Sequence, residues 1–223
     1  MQTIWLIPTS TVVSQVACKL DKTTPEADFH ADTTCIGRRA LVLFDYGQPV
    51  NVQGYNPTLG ARQLSTVSGG LACTHPFTGL IYHLIIHQAI HMPELEHHLL
   101  CQMQCRANGT VANECPRMYC ENPAEDSHLI VSFDENGERV ILPFFLKEVT
   151  SHLNVSPLSL KEYEHDGYPR IELTSHHLTW DPGNNVYNDQ ENAMLSYKGD
   201  IIRHGTVEIT SYGYQFSNYD DLC

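Results

Sequence analysis

QLSTVSGGLACTHPFTGLIYHLIIHQAI, residues 63–90, is the stretch that decides the fold. Two largely apolar runs, 63–74 and 80–90, flank HPFTG, which holds Pro76 and Gly79. Runs of this length between turn residues read as paired antiparallel strands, not helices. The rhythm extends outward in both directions. Upstream, ALVLF (40–44) and PVNVQ (49–53) flank DYGQ and read as a hairpin. Downstream, HLIVSF (128–133) and ERVILPFF (138–145) flank DENG and read as another. Short strands with close turns predict an all-β chain, barrel or sandwich.

One segment breaks the rhythm. MPELEHHLLCQMQCRANG (92–109) starts with Pro93, which suits a first helical position, followed by Glu94 and Glu96, which favour a helix N-terminus. Leu95, Leu99, Leu100 and Met103 share a face, and Gly109 suits a stop. The expectation is one short helix over about residues 94–106. Ser159 and Glu162 form a capping box for a second short helix in LSLKEYE. From about residue 164 the chain is rich in Asn, Asp, Gly and Tyr. It reads as a less ordered tail with one more strand in GTVEITSYGYQF (205–216). The expected organisation is a leader or linker over 1–27, a β domain over 28–150 and a C-terminal extension over 151–223.

Composition narrows the function classes. Across 223 residues, 13 basic side chains face 26 acidic ones, a formal charge of −13. Nucleic acid and anionic membranes both require clustered Lys and Arg, so neither is an expected partner. No apolar run reaches the roughly 18 residues of a membrane helix. MQTIWLIPTSTVVSQVAC lacks a basic n-region, and Pro8 interrupts its apolar run. The expectation is an intracellular chain, cytoplasmic or within a particle, whose eight cysteines are reduced. The sequons at Asn108 and Asn154 then carry no meaning.

FHADTTCIGR (29–38) raises the question of chemistry. Aspartic peptidases use two facing carboxylates that share a proton. One activates water and the other polarises the scissile carbonyl. Each carboxylate follows an apolar strand and precedes Thr or Ser and then Gly. Asp32 and Thr33 fit the first two positions, while Thr34 stands where Gly is expected and Gly37 follows three residues later. Taken alone, an Asp-Thr pair is most often a turn or cap. Asp126-Ser127 is the best second carboxylate in the chain, but it follows a polar turn. With one motif per chain, a catalytic pair requires a symmetric homodimer.

The order of elements adds to this. Asp32-Thr33 is followed by hairpins, then by Met92-Pro93-Glu94-Leu95, then by Leu99-Leu100, Met103 or Gln104, and Gly109. Over roughly residues 28–150 this resembles the protease-like region of copia-type retrotransposon polyproteins. The resemblance implies a retropepsin-like (acid protease) β-barrel. It assigns the catalytic carboxylate to Asp32 and the supporting hydroxyl to Thr33. It also implies a polypeptide substrate, the element's own polyprotein, cut by a homodimer without any cofactor. A decayed, non-catalytic version of the same barrel, serving as a binding or structural module, is the alternative, and Thr34 in place of Gly is the residue that favours it.

Other constellations read as structural. His83, His87 and His91 would share a helix face and could hold zinc. On a strand, however, successive members stand roughly 13 Å apart, too far for one ion. Cys101, Cys105, Cys115 and Cys120 have three, nine and four residues between them, which matches no common zinc module. SGG (68–70) lacks the Lys of a phosphate loop, and no Ser-centred nucleophile elbow occurs. Tyr55, in GYNPTLG, suits a flap over a cleft or a plain surface loop.

Overall fold

The computed structural model describes residues 26–27, 31–53, 60–121, 127–165, 167–201, 207–210 and 213–216. In chain order the elements are β1 (Glu26–Ala27), β2 (Cys35–Gly37), β3 (Leu41–Gln53), β4 (Ala61–Thr74), β5 (Ile81–Met92), β6 (Leu99–Leu100) and α1 (Gln102–Ala107). Then come β7 (Val111–Asn113), β8 (Leu129–Phe133), β9 (Arg139–Pro143), β10 (Phe145–Lys147), β11 (Thr150–His152), β12 (Val155–Pro157) and α2 (Leu160–His165). The last are β13 (Arg170–Glu172), α3 (Val186–Ala193), β14 (Val207–Thr210) and β15 (Gly213–Phe216). The chain is mostly β, as the strand rhythm predicts.

The main sheet runs β10-β11-β1-β6-β2-β5-β4-β12, with β3 on β4 and β13 on β5. Its path has two free ends, so the closed barrel expected from the sequence is not formed among the described residues. A second sheet, β7-β8-β9, packs on the first. Ile130 and Leu142 of the small sheet share one buried core with Ile36, Leu71, Leu84 and Ile171 of the large one. No helix among the described residues is long and apolar enough to cross a membrane.

The β4–β5 pair and the β8–β9 hairpin form where the sequence places them. The turn expected at DYGQ does not. β3 is one continuous strand, and both its halves pair with the long β4. Between the pairs Asp45↔Val67 and Pro49↔Ser65, four steps on β3 face two on β4. The excess is absorbed by a bulge. Asp45 Oδ1 accepts from Gly47 N at 2.8 Å, and Gly47 takes φ +67°. The Asp-Gly signal is thus used locally, without reversing the chain. GTVEITSYGYQF likewise holds two strands, not one: β14 pairs antiparallel with β15.

The helix expected over 94–106 is shorter. Arg38 N donates to the Leu95 carbonyl, and Leu99 pairs with Cys35 of β2. Backbone groups that a helix would use internally are taken by β2, and Leu100 is drawn into the core. Helix α1 starts only after Cys101, whose thiol accepts from Gln104 N. The capping box at α2 forms as read: Ser159 N donates to Glu162 Oε2 at 2.8 Å, and Glu162 N to Ser159 Oγ at 3.3 Å.

The segment expected to be a less ordered tail is partly core. β13 lies parallel to β5, with Ile171 opposite Leu84. Ile171 and Leu173 are buried completely. Parallel pairing needs a long connection, which no local pattern announces. β11, β12 and β13, all beyond residue 149, belong to the same sheet as β2 to β5.

His98 makes this fold sensitive to acid. Its Nδ1 accepts from Gly37 N at 3.0 Å, so that nitrogen must be bare. Burial, with lesser help from His97 and Arg39, lowers its pKa from 6.5 to about 4. Between those values the unfolded chain binds a proton that the folded chain refuses, so stability is full above pH 6.5 and falls as the pH drops toward 4. The loss from this residue is of the order of 3 kcal/mol. Thermal unfolding across this range should show the fall, and His98→Gln should flatten it. An unchanged profile in the variant would refute the assignment.

Candidate functional site

Asp32 lies in a short bend leading into β2, and its side chain is exposed. The two residues that follow bury themselves. Thr34 is fully buried and makes three hydrogen bonds. Its N donates to Gln104 Oε1 at 2.9 Å, its Oγ1 accepts from Cys101 N at 3.1 Å, and its carbonyl accepts from Ile90 N at 2.8 Å. Thr34 is not among the residues with positive φ. Glycine's freedom is therefore not needed there. Thr34 is an anchor, tying the Asp32 bend to the N-terminus of α1 and to the end of β5.

Gln104 extends the anchor. Its Nε2 donates to the carbonyls of His87 and Gln88 at 3.3 and 3.2 Å. Gln88 is the extra residue of a bulge in β5, between the pairs Val67↔Ala89 and Gly69↔Ile86, and it takes φ +53°. A non-glycine residue in that region is strained. The Gln88 side chain is held on every polar atom. Nε2 donates to the carbonyls of Ser175 and Leu178 at 2.7 and 2.6 Å, and Oε1 accepts from Trp180 N at 2.8 Å.

Trp180 closes the circle. Its indole N–H lies 3.1 Å from both the Asp32 carbonyl and the Thr33 hydroxyl oxygen. Thr33, read from sequence as the hydroxyl that supports the catalytic loop, accepts from Trp180 within the same chain. Asp32 borders two clefts. One, about 290 Å³, has Asp32 and Thr33 on one wall and Gln48, Val50 and Val52 of β3 on the other. The second, about 230 Å³, is lined by Asp32, Cys101, Met103, Trp180 and Tyr187.

Gly37 serves close approach, not a turn. A Cβ there would lie 2.4 Å from the Leu95 carbonyl oxygen and 2.5 Å from that of His97. Asp126 and Tyr55 lie outside the described residues. Ser127, beside Asp126, is buried.

Cys73, Cys101, Cys105, Cys115 and Cys120 are free thiols. Burial raises the Cys73 pKa to about 12 and pushes Cys105 and Cys101 upward too, so these are inert packing groups. The run His83, His87, His91 lies on a strand, as read. His83 packs against Tyr163 and Tyr168. His87 faces Glu172 and His176, from the region beyond residue 164. Trp180, Gln88 and Gln104 carry no local motif, because each acts on residues far away in sequence. Compared with known proteins, the chain matches no family model, no curated protein and no solved structure.

Proposed function

We propose that this chain is an aspartic endopeptidase of the retropepsin kind, cutting the polyprotein of a copia-type element, with Asp32 of two copies forming the catalytic pair. The observation that carries the reading is the exposed Asp32 at the edge of a cleft. It is held there by the buried Thr33-Thr34 anchor, and the long strand β3 forms the facing wall. In such a pair one carboxylate is ionised and takes a proton from water, while the other donates its proton toward the scissile carbonyl. The cleft between bend and strand is where an extended polypeptide would lie.

The dimer requirement supplies the test. In mildly acidic solution, well below the dimer dissociation constant, a tenfold dilution should lower specific cleavage activity about tenfold, as mass action on a dimer requires. Specific activity independent of concentration would overturn the shared pair. Absence of cleavage at every concentration would overturn the peptidase reading. One observation favours the second reading, a binding module that has lost catalysis: the indole of Trp180 occupies the Thr33 hydroxyl and lines both clefts beside Asp32.

A further inference from the structure

We propose that His87, Glu172 and His176 form a binding site for a borderline divalent cation of the zinc class, separate from the Asp32 clefts. One ligand atom from each residue lies within 4.8 Å of the other two. His87 Nε2 is 3.7 Å from Glu172 Oε1, and His176 Nδ1 is 3.2 Å from Glu172 Oε2. Tetrahedral zinc with bonds near 2.0–2.1 Å sets its ligand atoms about 3.3 Å apart. Small side-chain movements therefore suffice. Two imidazoles and one carboxylate are also a donor set that suits zinc and leaves positions open for water or ligand.

Three features of the fold organise the set. First, His87 and Glu172 come from adjacent strands, since β13 pairs with β5 and Glu172 sits opposite Ile85. Thr174 fixes the backbone of His87 from both sides: its Oγ1 accepts from His87 N at 2.7 Å and donates to the His87 carbonyl at 2.8 Å. Second, His176 follows Glu172 by four residues and reaches back to it.

Third, His87 has the outer support that metal-binding histidines use. Its Nδ1 lies 2.9 Å from Ser68 Oγ, which is itself 2.9 Å from the Tyr46 hydroxyl. With the Nδ1 proton donated to Ser68, Nε2 carries a bare lone pair. That nitrogen is buried and makes no hydrogen bond, and it faces a carboxylate. Two acceptors in apposition repel, and a cation between them removes the conflict.

Exposure is graded in the way an accessible metal site requires. The His87 side chain is 14% exposed at the floor, against 50% for Glu172 and 41% for His176 at the mouth. The set opens into a cleft of about 840 Å³ that shares no lining residue with the cleft between Asp32 and β3. In that cleft Arg170 lies over the Tyr163 ring, 4.2 Å from its centroid. The inference is therefore independent of the peptidase reading.

Calorimetric titration of the full, chelator-stripped chain with zinc chloride tests it, with cobalt(II) as spectroscopic probe. The expected result is one site of micromolar or tighter affinity, with a cobalt spectrum of nitrogen and oxygen ligands and no thiolate charge-transfer band. Glu172→Gln and His176→Ala alter exposed side chains, so the fold survives, and each should weaken zinc at least tenfold. His165→Ala, an exposed histidine outside the set, should leave it unchanged. Zinc at about a hundredfold excess over its dissociation constant should raise the unfolding temperature of wild type by about 5 °C or more. The same addition should not do so for the two variants. A thiolate spectrum, undiminished affinity in both variants, or no binding at 100-micromolar order would each overturn the site.

Discussion

Asp32→Asn should lower cleavage by about a thousandfold, the middle of the range for removing a general acid or base, and should leave stability within about 0.5 kcal/mol of wild type. The two halves of this expectation have different origins. The chemical half follows from the endopeptidase reading. In a symmetric dimer the substitution replaces both carboxylates with amides, which neither take a proton from water nor pass one to a carbonyl. The structural half follows from the position of the side chain. Asp32 is exposed, and its hydrogen bond to Trp180 uses the main-chain carbonyl, which Asn retains. Peptide cleavage under mildly acidic, high-concentration conditions checks the first half, and thermal unfolding of the same preparation checks the second. Cleavage retained in a folded Asp32→Asn variant would remove Asp32 from the chemistry.

Thr34→Gly has a different outcome from the one the motif suggests. Glycine would restore the expected motif, but it would delete a buried hydroxyl that accepts from Cys101 N, leaving that donor without its partner. The substitution therefore removes one of the three hydrogen bonds that anchor the Asp32 bend and keeps the two made by the main chain.

Gly37→Ala should cost about 3 kcal/mol or more, the scale of serious overpacking, and lower the unfolding temperature by about 10 °C for a chain of this size. The added methyl would meet two backbone carbonyl oxygens at 2.4 and 2.5 Å, not the yielding end of a side chain. Neither wall can retreat cheaply. β2 is held between β5 and β6 through Cys35, which faces both Ile90 and Leu99. The opposing turn is held by Arg38 N on the Leu95 carbonyl, by Leu95 N on the Met92 carbonyl and by the Arg38–Glu96 ion pair. Relief would pull His98 away from Gly37 N and expose a buried imidazole. A melting temperature within 2 °C of wild type would show that the close approach is not under strain.

Much of this protein is local, and local features were legible in the sequence. The β4–β5 pair, the DENG hairpin and the Ser159–Glu162 cap each depend on residues near one another in the chain, and each forms as read. The Asp-Thr motif, by contrast, places its carboxylate after an apolar strand, whereas the structure sets the exposed Asp32 in a bend that leads into β2. What the sequence could not decide was which distant segment takes up each backbone hydrogen bond. DYGQ has the chemistry of a turn, yet β4 is long enough to pair with both flanks, so the excess becomes a bulge. MPELEHHLL has helical periodicity, yet β2 claims its backbone groups, so α1 starts at Gln102. The region past residue 164 has a polar, loop-like composition, yet Ile171 and Leu173 bury against β5 and bring Glu172, His176 and Trp180 to their places. Period and turn chemistry act over a few residues, whereas pairing partners are chosen by burial and hydrogen-bond satisfaction across the whole sheet, and only the tertiary structure resolves that competition.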